Sequence, residues 1–326
     1  MFCSVIIPVY NGSKTIDCCL DALAQQTTPP NFYEIIVVDD GSTDTTAENV
    51  SAWCTAHPTI NCHMLQQKNQ GPAAARNYGA HCAKGELLLF TDADCRPLPP
   101  WIATFSAAFA ADATLSAAMG SYISSQPEVA AQFAQLEFEE RYAHMCQQAT
   151  IDVVATYSAA FRRDIFLATS GFDAAFPKAN NEDVEFSYRL SQLGHRMIFV
   201  PAAMVAHPHS ASWWSYGKTK FSRAYWRTIV YKRYPAKAIK DSYTPQILKL
   251  QILLAPLCLM GLILALAGWP GIGIGLCAPF LLTTVPMSKF ALRRNWTLVI
   301  WTPWGLWVRS VVFALGVAWA IVRGRS

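Results

Sequence analysis

Along its amino-terminal part the chain alternates between two hydrophobic patterns. Cys3–Tyr10, Glu34–Val38 and Glu86–Phe90 are nearly continuous apolar runs of strand length. Between them, Lys14–Gln26, Asp44–Ala56 and Pro72–Lys84 carry the longer, mixed pattern of helices, and a short strand is expected near His63–Gln66. Strands that are apolar on both sides and joined by helices belong to a parallel sheet covered on both faces. The pattern therefore predicts an α/β fold with a mostly parallel central sheet. In such sheets a ligand sits beyond the carboxyl ends of the strands. Three of those ends are polar: Tyr10-Asn11-Gly12, Asp39-Asp40-Gly41-Ser42 and Asp92-Ala93-Asp94.

The second half reads differently. From Leu250 to Ser288 there is no Asp, Glu, Lys, Arg or His, a run about twice the ~20 residues that one membrane-spanning helix needs. Gly268-Trp269-Pro270-Gly271 breaks it, so segment 245–288 is expected to be a transmembrane helical hairpin. Segment 212–244 is basic, with no acid between Gly217 and Lys240. On a helix Lys220, Arg223 and Arg227 share one face and Phe221, Tyr225 and Ile229 the opposite one. That arrangement suits a helix lying on an anionic membrane surface better than a nucleic-acid patch. Segment 289–326 joins Lys289, Arg293 and Arg294 to a Trp-rich apolar run, Trp296 to Val322, that carries Arg309 near its middle. A central Arg costs roughly 3 kcal/mol on insertion scales, and a full span would place Arg323 and Arg325 on the far side. The run is expected to be a third membrane helix that is interfacial or partly inserted.

Composition adds the compartment. The start MFCSVIIPVY has no basic residue before its apolar stretch and no small-residue cleavage site, so residues 1–211 are expected to stay in the cytosol. The hairpin then returns Lys289, Arg293 and Arg294 to the same side, as the positive-inside tendency asks, giving a multi-pass protein of the cytoplasmic membrane. Ten cysteines, including the adjacent Cys18-Cys19 and with no CxxC spacing, suit a reducing compartment.

Asp92 and Asp94 repel each other unless a cation sits between them. Hard divalent ions such as Mg²⁺ or Mn²⁺ prefer oxygen ligands and share them with phosphates, whereas the plain alternative is a solvated turn. Asp39 and Asp40 precede Ser42 and Asp44, either of which can cap the next helix, leaving the pair to accept hydrogen bonds from a base and a ribose. Taken alone, Glu182, Asp183 and Glu185 are first-turn acids of a helix, and His207 is a structural histidine.

Six stretches in order carry more than any one of them: SVIIPVYNG (Ser4–Gly12), VVDDGSTDTT (Val37–Thr46), NQGPAAARNYGA (Asn69–Ala80), FTDADCRP (Phe90–Pro97), GFD (Gly171–Asp173) and NEDVEFSYRL (Asn181–Leu190). Together they resemble the inverting, nucleotide-sugar-dependent family 2 glycosyltransferases, whose fold is GT-A. The resemblance implies that Pro8, Tyr10, Asp39 and Asp40 hold the uridine of a UDP-sugar and that Arg76 lies near the base or diphosphate. It implies that Asp92 and Asp94 are the Asp-x-Asp motif, the second binding Mg²⁺ or Mn²⁺ that bridges the diphosphate, and that His207 joins the metal. Of the pair Glu182-Asp183, Asp183 would be the general base that an inverting transfer to a hydroxyl requires. The processive synthases of this family carry QxxRW near the membrane. Here the nearest segment, Lys220–Trp226, lacks the glutamine and the Arg-Trp pair, and the spans are few, which implies transfer of a single sugar. The spans and the basic interfacial helix would hold the site against the bilayer, so the acceptor is expected to be a hydroxyl of a lipid or lipid-linked molecule. Two alternatives stay open: a polyprenyl-phosphate glycosyltransferase, whose anionic acceptor needs no base, and a non-catalytic nucleotide-sugar-binding membrane subunit.

Overall fold

A computed structural model describes residues 1–176 and 180–323. Arg325 and the end of segment 289–326 lie outside the described residues. β1 (Cys3–Val9), α1 (Ile16–Ala24), β2 (Tyr33–Asp39), α2 (Thr46–Ala56), β3 (Cys62–Gln66), α3 (Pro72–Cys82) and β4 (Leu87–Phe90) reproduce the predicted alternation to within a helical turn at each end. Then come β5 (Arg96–Pro97), α4 (Trp101–Ala111), β6 (Leu115–Ile123), α5 (Val129–Met145), β7 (Ala159–Arg162), α6 (Arg163–Ala168), α7 (Glu182–Gln192) and β8 (Arg196–Ala206). Helices α8 (Trp213–Arg233), α9 (Pro235–Ile239), α10 (Gln246–Leu266), α11 (Pro270–Leu292) and α12 (Trp296–Arg323) complete the chain.

The chain divides into two compact units. The first comprises Met1–Ile123 and Met145–Pro208 and holds an eight-stranded sheet in the order β3-β2-β1-β4-β7-β6-β8-β5. β1 pairs in parallel with β2 and β4, and β2 with β3, so the ends of β1, β2 and β4 open on one edge of the sheet. β7 then enters antiparallel between β4 and β6. Every residue of β1, β2 and β4 is buried, which explains their unbroken apolar runs. Phe90, Phe161, Phe166, Phe172 and Phe186 interlock edge-to-face or tilted behind the end of β4, so the strand delivers Asp92 from a rigid base. Gly120 lets β6 approach β8: a Cβ there would lie 2.0 Å from the Ala203 carbonyl oxygen and 2.1 Å from Ser158 Oγ.

The second unit comprises Ser124–His144 and the chain from His209 on. Helix α5 thus groups with the C-terminal helices, although by sequence it falls inside the 1–211 segment. The reason is polar. Glu137 of α5, fully buried, pairs with Arg309 Nη1 at 2.9 Å and with Lys220 Nζ at 2.7 Å, and accepts a hydrogen bond from Tyr216 at 2.8 Å. Burial alone would raise the Glu137 carboxyl, but these cations and Arg141 hold it well below its ordinary value. Two expectations change here. Lys220 does not belong to an exposed basic face, being buried against Glu137, while Arg223 is exposed as predicted. Arg309 does not meet lipid as an unpaired charge, because it is buried and its other nitrogen, Nη2, donates to Gln251 Oε1 at 2.6 Å. Among the described residues three helices, α10, α11 and α12, are long and apolar enough to cross a membrane. On α10 and α11, Leu253, Met260, Ile263, Ile274 and Leu282 are exposed, as hairpin faces meeting lipid would be.

Candidate active site

The site forms where the ends of β1, β2 and β4 meet the start of α7, all within the first unit. Asn11 takes a positive φ of 52°, its N–H donates to Ser42 Oγ at 2.9 Å, and its Oδ1 accepts from Thr43 N at 2.8 Å. The loops after β1 and β2 are thereby tied together, and Tyr10 is presented 51% exposed at the rim, free to stack on a flat base. Pro8 is buried in β1.

Asp39 and Asp40 are both buried and turned to internal work. Asp39 Oδ1 accepts from Ser42 N at 3.0 Å and Oδ2 from Gln66 Nε2 at 3.4 Å. Asp40 Oδ1 accepts from Gln67 Nε2 at 2.7 Å and Gln70 N at 2.9 Å, and Oδ2 from Gly71 N at 2.8 Å. Asp40 thus accepts three hydrogen bonds from this loop. It shapes the entrance of α3, where Gly71 has a φ of +90°.

Opening the second turn of that helix is Arg76, which is 2% exposed and sits between two acids. Nη2 meets Asp92 Oδ1 at 2.7 Å and Nη1 meets Glu182 Oε1 at 2.8 Å. The triad Asp92–Arg76–Glu182 therefore couples the loop after β4 to the first turn of α7. Burial pushes the Glu182 carboxyl up to about 7 against the pull of Arg76, with Asp183 adding to the rise. Its second oxygen, Oε2, accepts no hydrogen bond among the described residues.

Asp94 faces His207, with Oδ2 3.3 Å from Nε2. Burial opposes ionisation of Asp94, but the His207 ring outweighs it and holds the carboxyl below its ordinary value. Asp94, Cys95 and His207 place one donor atom each within 4.8 Å of one another. Burial, with the Asp92 and Asp94 charges beside it, pushes the Cys95 thiol well above its usual range. Asp94 and His207 offer one carboxylate and one imidazole, a set that fits Mn²⁺ better than Mg²⁺. Asp92 is not brought into this group, because Arg76 occupies it. Cys95 was missed by sequence reasoning, although its place directly after Asp94 was a signal.

Asp183 stands partly exposed at the start of α7, its Oδ1 accepting from Val184 N at 2.8 Å and Oδ2 from Thr156 N at 3.4 Å. The residue after Thr156 is Tyr157, which stacks on Tyr122 at 3.5 Å between ring centroids, and Tyr122 stacks on His207 at 4.8 Å. One run of contacts thus joins the candidate base to the candidate metal ligand.

Comparison with known proteins identifies the family. Residues 4–168, about half of the 326, match the model of glycosyl transferase family 2. Glycosyltransferase AglE of Haloferax volcanii is 43% identical over 101 residues, covering 31% of this chain and 33% of that protein. The pre-mycofactocin glycosyltransferase of Mycobacterium tuberculosis is 28% identical over 213 residues, 63% of this chain and 42% of that protein. The chain thus spans a third to less than half of the length of these relatives. A mannosyltransferase from Pyrobaculum calidifontis, solved with GDP-mannose and Mn²⁺, superposes with a TM-score of 0.61 at 22% identity, covering 97% of this chain and 87% of that one. GalNAc-T7 with UDP, GalNAc and Mn²⁺ gives 0.53 at 19% identity over 72% and 50% of the two chains. The fold of the first unit is GT-A.

Proposed function

Because the chain belongs to glycosyl transferase family 2, we propose that it moves a single sugar from a UDP-sugar onto a hydroxyl of a lipid or lipid-linked acceptor at the cytosolic face of a membrane. The observation that carries this reading is the placement of Asp183, partly exposed at the start of α7 and tied through Thr156 and Tyr157 to the Asp94–His207 pair. Inversion needs this separation of tasks. The acceptor oxygen attacks the anomeric carbon, its proton passes to the Asp183 carboxylate, and the bond to the diphosphate oxygen breaks on the opposite side. Mg²⁺ or Mn²⁺ held by Asp94 and His207 would supply neutralisation of the departing diphosphate's charge.

Tyr10 is the group placed to stack on uracil, and Asp39 the group that keeps acceptor capacity toward the ribose. Arg76, buried between Asp92 and Glu182, holds these acids in place beside the diphosphate site. The lipid acceptor is supported by α10 and α11, apolar helices carried on the same chain as the catalytic unit.

Asp183→Asn tests the reaction. The variant keeps shape and loses the proton acceptor, so UDP-sugar affinity stays near wild type while transfer falls by ~10²–10⁴. Transfer within about threefold of wild type would sink the hydroxyl-acceptor reading and point to an acceptor that is already anionic. Solved structures of this fold hold GDP-mannose as well as UDP, so thermal shift with both nucleotides, in Mn²⁺ and in EDTA, tests the donor by the mass-action rise in melting temperature.

A further inference from the structure

We propose that α8 and the second half of α12 form a single layer lying in the membrane surface, bound to anionic lipid headgroups at the entrance of the α10–α11 hairpin, and that α12 does not cross the bilayer. The inference rests on the reading that α10 and α11 do cross.

The layer is fixed by contacts at known depths along the hairpin. Arg309, midway along α12, reaches Gln251 in the second turn of α10, so the middle of α12 sits at the level where α10 begins. Beyond that point α12 follows α8. A Cβ on Gly316 would lie 2.7 Å from the Phe221 carbonyl oxygen and 2.8 Å from Ala224 Cβ, and one on Gly217 would meet Val312 at 3.8 Å. Helix α8 does not then climb beside the hairpin. Arg227 Nη1 is 3.8 Å from Asp241 Oδ2, and Tyr231 OH donates to the same oxygen at 3.1 Å. Asp241 in turn accepts from Tyr243 N and Thr244 Oγ1, both at 2.9 Å, immediately before α10 starts at Gln246. One end of the α8–α12 contact and the other end of α8 are therefore pinned to the same level, the hairpin's entrance.

Chemistry selects the occupant. α8 contains no acid, and its exposed residues include Lys218, Arg223, Lys232 and Arg233, with Lys240 just beyond. Phosphate-bearing headgroups complement that charge. A third span would draw Val312–Ala320 into hydrocarbon and take Lys218 and Arg223 of the neighbouring α8 with it, where charged side chains are costly. On α12, Ile300, Trp304, Leu315, Trp319 and Val322 are exposed at helical spacing, an apolar face with tryptophans of the kind that settles at the boundary between headgroups and acyl chains.

The full chain tests this with three epitopes placed singly, at the amino terminus, inside the Gly268–Pro270 turn and after Ser326, in sealed inverted vesicles exposed to protease. The expected result is cleavage of both terminal epitopes and protection of the turn until detergent is added. Protection of the carboxy-terminal epitope with the turn also protected would establish a third crossing and overturn the proposal alone. Cleavage at the turn would remove the crossing hairpin and the proposal with it. In nanodiscs, phosphatidylglycerol added to phosphatidylcholine should raise the wild-type unfolding midpoint by about 3 °C at low salt. The rise should vanish in Lys218→Glu/Arg223→Glu. An equal rise in both proteins, or none in the wild type, would refute headgroup binding.

Discussion

Replacing Arg76 with Met removes the guanidinium from between Asp92 and Glu182 while keeping most of the side chain's apolar length. Asp92 is about a third exposed and water can take over its charge, but Glu182 is 2% exposed and has nowhere to turn. Removing one partner of a buried ion pair typically costs 3–5 kcal/mol, but a carboxyl can escape part of that by taking a proton. Glu182 is already pushed up to about 7 with Arg76 present, and buried glutamates without a partner reach about 8–9. The folded state holds this proton more tightly than the unfolded chain does, so stability is lost as pH rises through that range. Taking about 9 for the variant, linkage makes the pH-dependent part of the loss close to zero at about pH 6, ~0.4 kcal/mol at pH 7 and ~2 kcal/mol at pH 8.5. Lost hydrogen bonds and packing add an offset that does not vary with pH. Thermal unfolding of the purified protein should therefore show the gap between wild type and Arg76→Met widening by several degrees from pH 6 to pH 8.5. A gap of constant size would mean that Glu182 is not the carboxyl Arg76 neutralises, and would refute the coupling of the β4 loop to α7.

Three further outcomes follow from the same geometry. Asp94→Ala should weaken UDP binding strongly in Mn²⁺ and hardly at all in EDTA; calorimetry with UDP in Mn²⁺ and in EDTA reads the difference, and equal affinities of variant and wild type in Mn²⁺ would contradict the metal assignment. Gly120→Ala should abolish folding of the first unit or cost well over the ~1–3 kcal/mol of ordinary overpacking, because the atom its Cβ would strike at 2.0 Å is the backbone oxygen of Ala203; a soluble variant with near-wild-type melting would contradict the β6–β8 register. Asp183→Asn should separate donor binding from transfer, read as an unchanged KM for the UDP-sugar beside a depressed kcat.

What the sequence makes legible follows from how local each cause is. The βα alternation of the first ninety residues is written in runs of strand and helix length, and the structure returns it almost residue for residue because strands buried on both faces admit little else. The polar strand ends are legible for the same reason. The division of labour among their acids is not. That the amides of Gln70 and Gly71 donate to both oxygens of Asp40 is set by the fold of the loop before α3 and by no local pattern. Arg76 and Glu182 are 106 positions apart, and no period or motif announces that they share a bond.

The same limit explains the C-terminal corrections and gives them a common cause. Helical spacing put Lys220 on a basic stripe with Arg223 and Arg227, and hydropathy marked Arg309 as a misfit in an apolar run. Each inference treated a helix as alone with solvent or lipid. Glu137, in a helix of the first half of the chain, removes both anomalies at once: it is fully buried, and so are the two cations that it neutralises. A carboxylate in that position costs desolvation that only such partners offset, and Lys220 and Arg309 would be equally costly without it. The three charges therefore have to be read as one unit, distributed over α5, α8 and α12. That unit explains why α5 folds with the C-terminal helices, and it holds the middle of α12 at the level where α10 begins.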